Sequence, residues 1–241
     1  MFVSAAARNK NREVPFGASL LQTIACGPPL VAFDPIARES VILGAFQRAA
    51  SAIRVEEARA RGLSVTRRAS GGPAILAGPG TLRLALSLPR HDALVPCSPP
   101  QIVNRYVRPL LRGLTRAGAL AHYFGRDWVS VAKRPVAWIG MAHHGASGAT
   151  LVEAFVSLTR SFALDPALDG YPARERDALR EKGPTTLMEA AGRDIDEARL
   201  RASVLDAYDE AFGAPIERSR RSPEDDCPEA LETEPAWDAL V

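Results

Sequence analysis

The 241-residue sequence predicts an α+β fold, with a mixed, mostly antiparallel β-sheet packed with helices in a single domain. Three observations lead to this prediction. Residues 81–88 alternate between apolar and other side chains, as β-strands do. Two apolar runs, 128–131 and 136–139, flank a basic turn and predict a hairpin. Segments 98–118 and 194–213 carry apolar residues at helical spacing. The order of these elements favours an α+β architecture.

The N-terminal third predicts a loose start and then strands and one helix. Residues 1–15 are polar and small, and we expect them to be loose. Apolar runs at 29–33 and 40–44 predict two strands joined by a turn. An Ala-, Glu- and Arg-rich segment from Ser51 to Arg61 predicts a helix that ends at Gly62.

The middle of the chain predicts three further strands. Residues 63–69 and 74–76 flank a glycine turn. In the run 81–88, every second residue is leucine, while Arg83 and Ala85 fall on the opposite face. This alternation predicts a strand that is buried on one face only.

The C-terminal part predicts one strand, a long loop and one helix. The apolar run 149–158 predicts the strand, and residues 164–186 predict the loop. Asp194 is followed three residues later by Glu197, which predicts a capping box at the start of the helix. Since little apolar sequence follows residue 213, we predict a domain over 16–213 and a disordered tail over 214–241.

Composition excludes several classes of function. The net charge of +2 is small and the basic residues are dispersed, so we expect no nucleic-acid partner. No apolar run approaches the ~20 residues of a membrane span, and no signal core is present, so we expect a cytoplasmic protein without a membrane partner. Three cysteines far apart fit a reducing compartment. Adjacent His143 and His144 would point to opposite faces of a strand, so we expect no metal site.

The segment Arg67-Arg68-Ala69-Ser70-Gly71-Gly72, followed by Gly78-Pro79-Gly80, is the candidate for a functional site. Arginine offers a planar charged fork to carboxylates and phosphates. Glycines can adopt positive φ, and their N–H groups can then cradle an anion. The alternative is an ordinary turn with solvated arginines. Spacing by itself does not name the ligand.

The same residues carry a family resemblance. Arg67-Arg68-Ala69-Ser70-Gly71-Gly72 resembles the Arg-Arg-x-Ser-Gly-Gly signature of lipoate-protein ligases, and Gly78-Pro79-Gly80 resembles the His-Gly-Pro-Gly turn of octanoyl transferases. Both families belong to the biotin/lipoate protein ligase catalytic superfamily. The run 40–47 resembles the strand and Gly-x-x-Gln before the signature, and 135–140 resembles the transferases' Lys-Ile-Ala-Ala-Ile-Gly. The likeness extends over roughly residues 29–213.

The resemblance implies a function. Such proteins attach a lipoyl or octanoyl group to a lysine of a lipoyl acceptor domain, from an acyl-adenylate or from acyl carrier protein. It also implies ATP or lipoyl-AMP as a substrate, no tightly bound cofactor, and a transferase-like single domain. The substrate-binding residues that it implies are Arg68, Ser70, Gly71, Gly72, Gly78, Gly80 and Gly140.

This chain departs from the family pattern at the catalytic positions. The family lysine aligns with Pro135, which leaves the neighbouring Lys133 as a candidate. The transferases' cysteine aligns with Ala167, which cannot form a thioester. Other members carry a cysteine before the hairpin, close to His122 here, and histidine can act as a base or acyl carrier. We therefore predict His122 and Lys133 as candidate catalytic residues.

Further departures keep a second hypothesis open. The third glycine of the ligase signature is Pro73, and the transferases' histidine and following amide are Ala77 and Thr81. The chain could therefore be a non-catalytic relative that binds an acyl or adenylated ligand, or an acceptor protein.

Overall fold

The computed structural model describes residues 18–170, 179, 181–213 and 216–218. The predicted loose segment 1–15 and most of the predicted tail 214–241 lie outside the described residues. Part of the predicted loop 164–186 also lies outside them.

The described strands form two sheets. In chain order they are β1 Leu30–Pro35, β2 Ser40–Leu43, β3 Ser64–Arg67, β4 Ile75–Ala77, β5 Thr81–Leu88, β6 Ala121–Tyr123, β7 Trp128–Val131, β8 Arg134–His143, β9 Thr150–Ser157 and β10 Glu217–Arg218. The seven-stranded sheet has the order β10-β1-β5-β9-β8-β7-β6, and only its β1–β10 pair is parallel. The three-stranded sheet has the order β3-β2-β4, with β2 parallel to β3. The mixed, mostly antiparallel sheet of the prediction is confirmed.

The helices are α1 Ala18–Ala25, α2 Ala49–Ala52, α3 Val55–Ala60, α4 Ile102–Arg116, α5 Leu187–Ala191 and α6 Glu197–Phe212. Helices α4 and α6 pack together on one face of the large sheet, because each has an apolar stripe to bury. Tyr106 of α4 and Tyr208 of α6 are fully buried there, and the Tyr208 hydroxyl donates to the Tyr106 carbonyl at 2.7 Å. None of the helices in the described ranges has the length and apolar character needed to cross a bilayer.

The other face of the large sheet is covered by the small sheet and by α1. Ile42 of β2 and Ile75 of β4 share one apolar cluster with Trp138 of β8 and Phe155 of β9. Helix α1 packs against β5 and β9. The domain therefore has three layers, and the sheet in the middle is buried on both faces.

This third layer corrects the prediction for β5. Its burial pattern has seven buried residues and one intermediate one, and Arg83 and Ala85 are only 8% and 5% exposed. Alternation had predicted one solvated face. It was wrong because the small sheet and α1 bury the polar face as well, so Arg83 has to find partners inside the protein.

Two helix predictions also need correction. The predicted helix over 51–61 is broken, because Ile53 leaves α2 with extended backbone and forms a β-bridge with Asp169. The last helix is capped by Asp196, whose side chain accepts from the Arg199 amide at 2.7 Å, and the cap is not Asp194. Helix α1 and strand β10 were not predicted.

Candidate functional site

The arginine-glycine segment lies at the end of the small sheet that faces the large one. Strand β3 ends at Arg67, and the chain then turns through Ser70, Gly71 and Gly72 before it enters β4. Two backbone bonds fix the start of this turn to the end of β2: the Arg68 amide donates to the Leu43 carbonyl at 2.9 Å, and the Ala45 amide donates to the Ser70 carbonyl at 3.0 Å. We call residues 69–73 the glycine turn.

Arg67 is buried and braces the neighbouring loop 44–47. Its Nη1 donates to the carbonyls of Gly44 at 3.1 Å and Ala45 at 3.4 Å, and also to the Gln47 carbonyl. The Gly44 amide in turn donates to the Gln47 side chain at 2.9 Å. The Gly-x-x-Gln segment that resembles the family motif is thus a closed local turn held by the first arginine of the signature.

Arg68 is 3% exposed, and its terminal nitrogens bind backbone carbonyls. Nη1 donates to Ile42 at 3.1 Å, and Nη2 donates to Gly71 and Pro73, each at 2.8 Å. Burial lowers the pKa of Arg68, the Glu153 carboxylate opposes this effect, and Arg83 adds to it. Arginine nevertheless remains charged at neutral pH. Arg68 therefore fixes the backbone of the glycine turn from its buried side and places a positive charge next to it.

Glu153 of β9 connects the glycine turn to the large sheet. It is fully buried, and its carboxylate accepts from the Ser70 amide at 3.3 Å, from the Ser70 hydroxyl and from the Arg83 guanidinium, with Nε at 3.2 Å. Burial alone would raise the pKa of Glu153, but Arg83, the Ser70 bond and Arg68 outweigh it and lower the pKa. The carboxylate is therefore charged at neutral pH. It connects Ser70 of the glycine turn to Arg83 of the large sheet.

The glycine turn keeps backbone donors for a ligand. Within the described part of the chain, the amides of Gly71 and Gly72 donate to no protein group. Gly72 has φ +95° and is exposed, while Gly71 is half-buried. Successive N–H groups of this kind, over a buried arginine, are a suitable cradle for an anion or a developing oxyanion.

Trp138 fills the space behind the turn. A Cβ on Gly72 would lie 2.5 Å from its Cζ2 atom, and a Cβ on Gly140 would lie 2.2 Å from its Cη2 atom. The Arg68 guanidinium carbon lies 3.8 Å from the centroid of the Trp138 ring, which is a cation–π contact. Gly140 therefore contributes to the site because its lack of a side chain leaves room for the indole of Trp138.

The structure thus brings together five of the nine candidate site residues: Arg68, Ser70, Gly71, Gly72 and Gly140. Sequence reasoning missed Glu153, Arg83 and Trp138 as members of the site. The available signal for Arg83 and Glu153 was that each is the single charged residue of its strand, since such a residue must be paired when buried.

Gly78 and Gly80 belong to a separate turn. The Thr81 amide donates to the Gly78 carbonyl at 2.8 Å, and Gly80 has φ +91°. A Cβ on Gly80 would lie 2.1 Å from the Thr159 hydroxyl, and one on Gly78 would lie 3.1 Å from Glu39. Packing against these residues explains why glycine stands at both positions. Neither glycine lies against the glycine turn or Arg68.

The two candidate catalytic residues also lie apart from the glycine turn and Arg68. Lys133 is at the exposed tip of the β7–β8 hairpin with φ +66°, and five residues of extended strand, about 16 Å, separate it from Trp138. His122 is exposed on the edge strand β6, and its ring stacks on Phe124 with centroids 5.9 Å apart.

Among the described residues, neither the aligned nucleophile position, Ala167, nor Cys97 offers a thiol to the site. The Ala167 amide donates to Asp165 at 2.8 Å, and Asp165 pairs with Arg61 at 2.8 Å. The Cys97 thiol donates to the His91 carbonyl at 3.2 Å, and burial raises its pKa. In the ranges that the structure describes, no three His, Cys, Asp or Glu side chains are grouped as metal ligands would be.

Comparison with known families gives one match over most of the chain. The family model of the lipoyl protein ligase A/B catalytic domain matches residues 19–208. The chain therefore belongs to this family, as the arginine-glycine signature predicted. A comparison with curated protein sequences gave no match.

Solved structures have the same fold at low sequence identity. A bipartite lipoate protein ligase from Thermoplasma acidophilum, studied with its E2 lipoyl domain, superposes with a TM-score of 0.68 at 16% identity, over 89% of this chain and 87% of that one. A lipoate-protein ligase A bound with ATP gives 0.65 at 16% identity, over 86% of each chain. A T. acidophilum structure with bound lipoic acid gives 0.64 at 15% identity, over 89% of each. These likenesses establish the fold.

Proposed function

We propose that this protein transfers an acyl group of the lipoyl or octanoyl type from an activated donor to a lysine of a lipoyl acceptor domain. The observation that carries the proposal concerns the amides of Gly71 and Gly72, which bind no group in the described part of the chain and are held over the buried Arg68 by Ser70 and Glu153. Membership of the lipoyl protein ligase family and the lipoyl-domain partner of the T. acidophilum ligase support it.

The chemistry expected of such a site is direct transfer. The acceptor amine forms an amide bond with the acyl carbon, the bond from that carbon to the phosphate oxygen of an acyl-adenylate breaks, and AMP leaves with the electron pair. The amine proton passes to solvent. Negative charge develops on the carbonyl oxygen in the transition state, and the amides of Gly71 and Gly72 would stabilise it in a site whose positive charge is already fixed.

A covalent acyl-enzyme fits this chain less well. Ala167 stands at the aligned cysteine position, and the Cys97 thiol is bonded to a backbone carbonyl away from the glycine turn. We therefore favour an adenylate over a carrier-protein thioester as the donor, because an adenylate needs no enzyme nucleophile. ATP with a free acid would be the complete substrate pair, as the ATP-bound relative suggests.

The test is the intact mass of a lipoyl acceptor domain after incubation with the protein. Parallel reactions contain ATP with lipoate or octanoate, lipoyl-adenylate, or octanoyl carrier protein. We expect a mass gain with the adenylate, and a gain with ATP and free acid if the chain also activates the acid. A gain with carrier protein alone would overturn the choice of adenylate and direct attention to His122.

Two variants connect the activity to the site. Arg68→Ala removes the three carbonyl bonds that shape the glycine turn, and we expect it to abolish transfer. Arg90→Ala is the matched control, because it removes an exposed arginine whose partner, Asp92, is only partly buried. Equal transfer by Arg68→Ala and the wild type would refute the assignment of the site.

A second candidate function is binding without transfer. Pro135 at the family lysine position and Ala167 at the cysteine position favour it, since both are chemically inert. A folded protein that binds lipoyl-adenylate in calorimetry but adds no mass to any acceptor would establish this alternative.

A further inference from the structure

One edge of the large sheet carries exposed apolar side chains. Strand β6 is the last strand in the sheet order, and no described strand pairs with its outer side. The residues that flank it, Leu120 and Phe124, are 63% and 68% exposed, and they are two of the three large apolar side chains that are exposed in the described ranges. Proteins usually protect a free edge with charged residues or a covering loop, so apolar residues at this edge indicate a partner.

The backbone of β6 is also open to pairing. The Ala121 amide donates to the hydroxyl of Thr115 on α4, at 3.3 Å, and therefore does not bond to β7. Bonded and non-bonded positions alternate along an antiparallel pair. His122 therefore bonds to β7, whereas the amide and carbonyl of Tyr123 point to the open side. An extended segment of a partner can pair with these groups by β-strand addition.

The exposed side chains of this edge lie on the same face of the sheet as the glycine turn. Ala121 and Tyr123 pack into the core that the sheet forms with α4 and α6. His122 lies between them and points to the opposite face, because side chains alternate along a strand. Its ring stacks on Phe124, with centroids 5.9 Å apart. The apolar surface is therefore presented on the side from which the glycine turn is reached.

The strand register connects this edge to the site. Trp128 of β7 pairs with Trp138 of β8, which contacts the glycine turn. Tyr123 pairs with Val129, the residue after Trp128, so Phe124 is separated from Trp138 by β7 alone. Two strand spacings amount to about 10 Å. A protein docked on this edge can therefore reach the glycine turn with a lysine that lies beside its docked segment, since lysine has a flexible four-carbon stem.

Three cations border the edge. Arg126 follows β6, Lys133 lies at the hairpin tip next to the first register pair of β6 and β7, and Arg193 lies beside Gly118, before β6 begins. All three are exposed, and none has an ion pair among the described residues. Asp127, next to Arg126, is the carboxylate of the same loop. The edge therefore has an excess of positive charge.

These charges favour an acidic partner over a second copy of the chain. In a two-fold symmetric pairing the two β6 strands run antiparallel, so the Arg126 end of one copy lies against the Lys133 end of the other. Cations would then face cations, which is unfavourable at short range. Carboxylates of a different partner would complement both ends of the edge.

We propose that the β6 edge, residues 120–124 together with Arg126 and Lys133, is the docking site of the acceptor protein. The acceptor presents an extended segment with acidic side chains beside its lysine. This inference rests on the proposed function and adds the surface that selects the acceptor. The apolar side chains and the open backbone provide affinity, and the cations accelerate association and orient the acceptor.

Binding of a lipoyl acceptor domain with an unmodified lysine tests the docking site without requiring turnover. We expect Phe124→Ser and Arg126→Glu each to weaken binding to the full chain at least ~10-fold in calorimetry, as the loss of a central interface residue does. Added salt should weaken binding to the wild type more than binding to Arg126→Glu. Arg38→Glu is the matched control, because it makes the same charge change at an exposed arginine between β1 and β2, and it should leave the affinity unchanged.

Transfer assays separate the docking site from the glycine turn. With lipoyl-adenylate as the donor, Phe124→Ser and Arg126→Glu should raise the KM for the acceptor domain and leave kcat and adenylate binding unchanged. Arg68→Ala should do the reverse: it should abolish transfer and retain binding of the acceptor domain.

The outcomes distinguish this inference from the proposed function. Wild-type affinity in both β6-edge variants, or no binding of the acceptor domain by the folded wild type, would overturn the docking site. A dimer in sedimentation that Phe124→Ser dissociates would assign the edge to a second copy and would overturn it as well. Acceptor binding that depends on the β6 edge, without transfer from any donor, would support the docking site and overturn the proposed transfer alone.

Discussion

The Glu153 carboxylate of the large sheet binds both the amide and the hydroxyl of Ser70, so the glycine turn is fixed to a strand 83 residues further along the chain. The same carboxylate neutralises Arg83, and Arg68 lies close enough to lower its pKa. One buried charge thereby determines the position of the turn that we propose as the acyl site.

Glu153→Gln should destabilise the protein strongly. The amide cannot balance Arg83 and Arg68, and breaking a buried ion pair typically costs about 3–5 kcal/mol. Urea unfolding at pH 7 measures the change. Glu189→Gln is the matched control: it removes a carboxylate that also pairs with an arginine, at 2.9 Å, but is 60% exposed, so solvent screens the pair and its loss should be much smaller than that of Glu153→Gln. Equal losses in the two variants would contradict the central role of Glu153.

The stability should also depend on pH through Glu153. Its pKa is lowered in the folded protein, so its contribution is fully present above the unfolded value of about 4.3 and is lost as the pH falls through the folded value. The difference in unfolding free energy between the wild type and Glu153→Gln should therefore shrink as the pH drops below about 4. A difference that stays constant from pH 7 to pH 3 would show that folding does not lower the pKa of Glu153. Other carboxylates are common to both proteins and cancel in this difference.

Gly140→Ala should destabilise the protein through Trp138. The added Cβ would meet the indole at 2.2 Å, and overpacking of this kind costs about 1–3 kcal/mol. The double variant with Trp138→Ala should lose less than the sum of the two single variants, since the clash disappears. Gly145→Ala is the control, because nothing lies within 4 Å of its Cβ position. Additive losses in chemical denaturation would exclude the contact.

Lys133→Gly should stabilise the protein. Lys133 has φ +66° and Ala132 has φ +48°, as a two-residue type I′ hairpin turn requires, and glycine adopts this conformation without strain. We expect a gain of about 1 kcal/mol in thermal or urea unfolding, because the left-handed conformation costs a residue with a Cβ roughly 1–2 kcal/mol. Lys133→Ala removes the same charge but keeps a Cβ at positive φ, so it should give no gain. Acyl-transfer assays on the same two variants would test the candidate catalytic role of Lys133.

The local elements could be predicted because neighbouring residues determine them. The alternation of 81–88 corresponds to an observed strand, the basic turn between 128–131 and 136–139 to a hairpin, and the helical spacing of 98–118 to a helix. The signature Arg67–Gly72 also predicted the family, because its residues are contiguous in sequence.

The sequence by itself therefore determined most of the strands, the two long helices, the family and the location of the glycine turn. Only the tertiary structure decided how the site is built: that Arg68 binds carbonyls of its own turn, that Glu153 holds Ser70, and that Trp138 fills the space between Gly72 and Gly140. The physical reason is that these contacts join separate layers across long stretches of chain. Their partners are selected by burial, which excludes water and obliges each charge to find a partner within the protein.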